Sequence, residues 1–221
     1  MAKKKLQRFA ELESFERVIQ PGRLYLDKDH DIKTKWGSVI FKNENPIVLE
    51  LGCGRGEYTI NLAKFHPHMN FIGIDIKGAR LWRGAKTANE ENLLNAAFLR
   101  IQIEQLSFFF VTGEVSEIWI TFPDPQPQQS RENKRLTSPG FLLLYKNLLA
   151  RNGRVHLKTD NNQLYQYTME KLKELNAIIL FNTDNLYEHD FEDTALLIKT
   201  TYEKRFLNAG IPICYICFSY N

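Results

Sequence analysis

Short, almost uninterrupted apolar runs recur from residue 46 onward: PIVLELG (46–52), NFIGIDI (70–76), AFLRIQI (97–103), SEIWITF (116–122) and GRVHLKT (153–159). They are rich in β-branched and aromatic residues and most lack polar alternation, the pattern of strands buried on both faces. Between them lie helical stretches at about 56–66, 78–94, 138–150 and 162–175, the third opening with Ser138 at the N-cap position and Pro139 at the first helical position. Strands alternating with helices predict a mainly parallel sheet, here of seven strands, with helices on both faces and right-handed crossovers. The end departs from the alternation: AIILFN (177–182), a helix near 194–207 and IPICYICFSY (211–220) supply two last strands, one of them antiparallel. Residues 1–45 are polar, basic and weakly periodic, and read as an N-terminal extension ahead of one domain spanning 46–221.

With 43% hydrophobic and 12% aromatic residues, the chain can bury a sizeable core and is not a disordered composition. No apolar run has the length of a membrane span, and MAKKKLQRFAELESF lacks the apolar centre of a signal peptide, so the expected location is cytoplasmic. Cys214 and Cys217 sit in a strand-like run, where residues three apart face opposite ways, and read with Cys53 as plain buried thiols. His30, His66, His68, His156 and His189 show no ligand spacing, and no metal is expected. The net charge of +3 decides little, but residues 131–160 carry Arg131, Lys134, Arg135, Lys146, Arg151, Arg154 and Lys158 against Glu132 and Asp160. Lys3, Lys4, Lys5 and Arg8 add a second basic group, and clusters of this kind suit a phosphate backbone. Trp36 and Trp82 are candidates for stacking on bases, whereas Trp119, inside a strand run, reads as core.

The first strand runs into LELGCGRGEY, which opens a helix. Gly52, Gly54 and Gly56 permit a tight turn and close approach of a ligand, but G-x-G-x-G is not the dinucleotide spacing. Glu50, two residues earlier, stands where a cationic ligand group can be balanced; Asp75 closes the second strand, where an acid can accept both ribose hydroxyls. Glu104, at the end of the third, is placed for an adenine edge. A nucleoside with a positive centre, such as S-adenosylmethionine, fits this set better than a pyrophosphate. The fourth strand ends in TFPDP, so Asp124, pinned between Pro123 and Pro125, is expected beyond the carboxyl edge of the sheet, facing the reactive end of the cofactor.

LELGCGRGEY, FIGIDIK, TFPDPQP…KRL, HLKTD and TTYEKRF together resemble the bacterial tRNA (guanine-N7)-methyltransferases, in order, from about residue 36 to residue 206. The resemblance implies a Rossmann-like class I S-adenosylmethionine-dependent methyltransferase, acting as monomer or homodimer, that methylates N7 of the guanosine at position 46 in the tRNA variable loop. By the same resemblance Glu50, Gly52, Gly54, Gly56, Asp75, Glu104 and Asp124 contact the cofactor, and Asp124 also belongs to the active site. Gln128, Asp160, Thr200 and Glu203 match positions that contact substrate. The loop departs from the family's D-P-W-P-K-K: Gln126 replaces the tryptophan and Gln128 a substrate-binding lysine. Glu104 stands where many members have aspartate, and Arg131, Lys134 or Arg135 are the candidates to compensate in the loop.

Overall fold

The first of the apolar runs become strands buried along their length, because they are covered on both faces. The computed structural model describes residues 2–22 and 28–220, with side chains from residue 6. Every residue of β2 (Ile47–Leu51), β3 (Asn70–Ile74) and β4 (Ala96–Leu99) is buried. β5 (Val115–Thr121) and the long β6 (Leu149–Thr159) extend the sheet, and β7 (Ile178–Thr183) and β8 (Cys214–Ser219) complete one side of it. An eighth strand, the two-residue β1 (Val18–Ile19), pairs parallel with β4 and comes from the stretch read as an extension. The order is β1-β4-β3-β2-β5-β6-β8-β7, with β8 antiparallel to both neighbours.

α1 (Ala2–Glu13), α2 (Glu57–Phe65) and α3 (Gly78–Glu90) cover one face, and α4 (Pro139–Leu148) and α5 (Asn162–Glu174) the other. Ser138 holds the N-cap position of α4 and Pro139 follows at the first helical position, but the Ser138 hydroxyl donates to the Asn133 carbonyl instead of capping. The helix expected at 194–207 is two: α6 (Thr194–Leu197) and α7 (Thr201–Asn208). A new start is forced by Thr200, whose hydroxyl accepts from the Glu203 N–H while the Glu203 carboxylate accepts from the Thr200 N–H. This reciprocal pair is a capping box, which satisfies two orphan donors and begins a helix.

Described residues before 46, among them Leu12, Ile32, Trp36 and Phe41, are built into the core. Trp36, in a short π-helical turn (Trp36–Phe41), is fully buried, stacks on Phe110 at 5.2 Å and donates its indole N–H to the Phe109 carbonyl. It therefore has no free face for a base, contrary to the expectation from sequence. Trp82 is half-buried and already carries Arg8 and Lys86 within 4.6 and 5.2 Å of its ring centroid. Trp119 is core, stacked on His156 at 3.9 Å.

On the face covered by α1 to α3, the Phe98 ring fills a slot made by three glycines. A Cβ at Gly56, Gly73 or Gly84 would come within 2.6, 2.8 and 2.7 Å of that ring, so helices α2 and α3 approach β4 only because these positions lack one. The strand order reverses between β2 and β5, and in an open α/β sheet a ligand crevice forms beyond the carboxyl ends of the strands at that reversal. Among the described residues no helix is long and apolar enough to cross a membrane.

Candidate active site

Two loops meet at the reversal: 52–56 after β2 and 122–126 after β5. In the first, Gly52, Gly54 and Gly56 all take left-handed backbone, with φ of 73°, 56° and 69°. Their roles differ. A Cβ on Gly56 would strike Phe98, whereas Cβ atoms on Gly52 and Gly54 would meet nothing closer than 3.9 Å. Gly56 is thus a packing glycine, and Gly52 and Gly54 leave the open room that a ligand needs. Asp75, just past β3, fixes this loop: its carboxylate accepts from the Gly54 N–H at 2.9 Å and from the Lys77 N–H at 2.7 Å. One lone pair on each oxygen stays available for a hydroxyl.

Glu50 lies beneath the loop rather than facing a ligand. It is 3% exposed, and its carboxylate accepts from the Thr59 N–H and hydroxyl on one oxygen and from the Thr121 hydroxyl on the other. Burial pushes its pKa up to about 7 against the opposing pull of these hydrogen bonds, and Asp75 adds to the rise. Thr59 and Thr121 were not identifiable as its partners from sequence, since each comes from a different element.

Gly52, Asp75, Glu104 and Gln126 line one cleft of about 700 Å³, whose apolar wall includes Ile101, Leu136 and Phe141. Glu104 is not the end of a strand: β4 stops at Leu99, and Glu104 sits in a 3₁₀ turn (Ile103–Phe108). It is exposed and pairs with Lys134 at 3.2 Å.

The second loop holds Asp124 at its tip, exposed to solvent. Phe122 and Gln126 on either side both have positive φ, 51° and 44°, a conformation that disfavours side chains. Phe122 is held there by donating its N–H to the Lys158 carbonyl at 2.8 Å and by stacking on Phe206 at 5.8 Å. Gln126 is held by donating its N–H to Asp124 Oδ1 and by accepting from Arg135 Nε at 3.2 Å. Arg135 also lies 4.3 Å from the Tyr167 ring centroid, so it is a clamp on the loop. The pinning of Asp124 comes from these contacts as much as from its two prolines.

Gln128 is exposed just beyond, and Asp160, half-buried at the end of β6, has its pKa raised by burial. Thr200 and Glu203 are elsewhere in character. Glu203 is 0% exposed, and Oε1 pairs with the equally buried Lys158 at 2.6 Å and accepts from the Tyr187 hydroxyl at 2.6 Å. Burial lowers the Lys158 pKa while the Glu203 carboxylate pulls it back up. Lys158 also donates to the Leu196 and Ile198 carbonyls.

The basic run at 131–160 is not one surface. Lys158 is buried, and Lys146, Arg151 and Arg154 line a separate cleft at the amino end of β6, away from the two loops. The side chains of Lys3, Lys4 and Lys5 lie outside the described residues.

A family model described as "Putative methyltransferase" matches residues 44–216. A tRNA (guanine-N(7)-)-methyltransferase of Christiangramia forsetii is 52% identical over 219 residues, 98% of each chain. The chain belongs to the tRNA (guanine-N7)-methyltransferase family. The Bacteroides fragilis protein of the same name is 47% identical over 99% of this chain and 86% of its own. Among solved structures, the 16S rRNA methyltransferase KamB superposes with a TM-score of 0.65 over 88% of this chain and 95% of its own, at 13% identity. A 16S rRNA (adenine(1408)-N(1))-methyltransferase variant from Catenulisporales acidiphilia, solved with its cosubstrate SAM, gives 0.60 over 88% and 93%, also at 13% identity. These distant likenesses show the class I methyltransferase fold, whose glycine loop and strand reversal are the features described above.

Proposed function

We propose that this enzyme transfers a methyl group from S-adenosylmethionine to N7 of the guanosine at position 46 in the tRNA variable loop. The observation that carries the reading is family membership at 52% identity over nearly the whole chain, joined to a cleft that fits the cofactor. The fit rests on the open positions at Gly52 and Gly54 and on the unused lone pairs of Asp75, which suit a ribose. Glu104 suits the adenine amine: its pairing with Lys134 is exposed, a contact of about 0–1 kcal/mol, and exchanges readily for a ligand donor.

When bound, S-adenosylmethionine would supply an electrophilic methyl group on its sulfonium, to which the in-plane lone pair of guanine N7 would bond in line as the methyl–sulfur bond breaks and S-adenosylhomocysteine leaves. N7 carries no proton, so no general base is required and the task left to the chain is positioning. The guanine ring becomes cationic as the methyl arrives. In this reading Asp124, with Oδ2 free of other bonds among the described residues, orients the ring and balances that charge. At about 4 Å and an effective dielectric near 20 the attraction is on the order of 4 kcal/mol before desolvation. Asp160, leaving the adjacent strand end, accepts from the Watson–Crick edge of the base.

The test is methyl transfer from labelled S-adenosylmethionine to bulk tRNA, followed by nucleoside analysis. Label in 7-methylguanosine, abolished when the variable-loop guanosine is replaced, is the expected result. Cofactor binding with no label in tRNA would move the reaction to another acceptor.

A further inference from the structure

The glycine loop has a second cleft on its other side, of about 590 Å³, between α2 and α3. Its chemistry differs from that of the cofactor cleft. Arg55 projects from the glycine loop itself, Arg80 and Arg83 stand three apart on the exposed side of α3, and Arg8 reaches in from α1 over the Trp82 ring. Arg55, Arg80 and Arg83 make no ion pair among the described residues. Lys64 is neutralised by Glu91 at 2.6 Å. The one acid on the wall, Glu57, has both oxygens committed, accepting from the Thr201 N–H at 2.7 Å and the Thr201 hydroxyl at 2.9 Å.

The Glu57–Thr201 contact has a consequence. Thr201 is tied to α2 and Glu203 to Lys158, so Tyr202, between them and 54% exposed, is held at the edge of the cleft. Four guanidiniums, no uncommitted carboxylate and a presented aromatic ring match a polynucleotide: arginine takes phosphate bidentately, and a tyrosine face stacks on any base.

We propose that this cleft is the docking groove for the sugar-phosphate backbone of the RNA substrate, with Tyr202 stacking on a base beside the modified nucleotide. The proposal rests on the tRNA reading above. Its test is tRNA affinity as a function of salt for the wild type, the double variant Arg80→Glu/Arg83→Glu and Tyr202→Ala, alongside S-adenosylmethionine affinity and thermal melting. The double variant is expected to bind tRNA at least about tenfold more weakly, with the slope of log affinity against log salt reduced by about 1.5 to 2, because roughly two phosphate contacts are gone. Tyr202→Ala is expected to weaken tRNA binding about tenfold with the slope unchanged. Cofactor affinity and melting temperature stay at wild-type values in both.

Wild-type tRNA affinity and slope in the double variant, with a wild type that does bind and methylate tRNA, overturn the groove and leave the function standing; the cleft then serves another anion, an acidic protein partner included. A wild type that binds no tRNA overturns both.

Discussion

The cofactor side and the substrate side of this site are built in opposite ways. On the cofactor side, three consecutive strands end in a glycine loop, an aspartate and a 3₁₀ turn, and each group is fixed by one or two separate contacts: Asp75 reaches the Lys77 and Gly54 N–H groups, and Glu104 pairs with exposed Lys134. On the substrate side, residues distant in sequence hold one another: Phe122 rests on Lys158 and Phe206, Lys158 on Glu203, Glu203 on Tyr187 and Thr200. The first kind of construction tolerates change one residue at a time. The second makes residues at the substrate side structural first, so that altering one disturbs several.

Glu203 gives the sharpest way to break this contrast. Glu203→Gln leaves Lys158 buried without its counter-charge, which costs about 3–5 kcal/mol. In a chain of this size that lowers the melting temperature by roughly 10 °C. The double change Lys158→Met/Glu203→Leu, which removes both charges, should recover most of the loss. Thermal melts of the three proteins decide it. Wild-type stability in Glu203→Gln together with a raised KM for tRNA would return Glu203 to direct substrate contact and erase the distinction.

The same contrast explains what could be read in advance. Strands β2 to β6 and helices α2 to α5 follow from apolar periodicity, and the glycine loop with Asp75 follows from spacing, because each signal lies within one stretch of chain. β1 is two residues long and owes its existence to pairing with β4, and Trp36 owes its burial to Phe109 and Phe110; neither leaves a local pattern. Thr200 and Glu203 are a different case. T-x-x-E before a helix is a capping box that was legible, and it accounts for the break between α6 and α7. The basic run at 131–160 misled because α4 and β6 carry its middle, Lys146 to Arg154, to the amino end of β6 while Arg131 and Lys134 stay at the carboxyl ends of the strands, which a linear charge count does not register.

Glu50 joins the two sides, bonded to Thr59 on α2 and Thr121 on β5, and its titration measures how firmly they are joined. Its folded pKa is about 7, raised from the ordinary carboxylate value of about 4.5 mainly by burial. The native state therefore keeps a proton that the unfolded chain releases, and stability falls as pH rises from about 4.5 to about 7. The expected loss across that window is about 3 kcal/mol, complete above the folded pKa. Glu50→Gln, which can keep its carbonyl toward Thr59 and its amide toward Thr121, should lack this decline. Denaturant unfolding at pH 4 and pH 8 for both proteins reads the difference; parallel profiles would mean that Glu50 ionises without coupling to folding.

Asp124 sharpens the contrast from the chemical side. It is exposed, and its one hydrogen bond among the described residues is from the Gln126 N–H, so Asp124→Asn should leave the melting temperature almost unmoved. If it balances charge on the ring, kcat falls about 100-fold, in the range seen when one group stabilising transition-state charge is removed, while cofactor affinity changes less. Near-wild-type turnover on tRNA would remove Asp124 from the chemistry.

The smallest expected effect is at Gln128. It is exposed, lies outside every helix and strand, and stands where the resembling family has a lysine. A lysine there adds one screened charge at the rim of the Asp124 loop without touching the clamp from Arg135. One added phosphate contact at a solvated rim is worth about 0.2–1 kcal/mol, so Gln128→Lys should lower the KM for tRNA roughly twofold, more at low salt, with kcat unchanged. A larger gain would mean that the loop at 126–128 limits substrate binding. No gain at low salt would mean that phosphate is held elsewhere, which is what the guanidiniums of Arg55, Arg80 and Arg83 across the glycine loop would then explain.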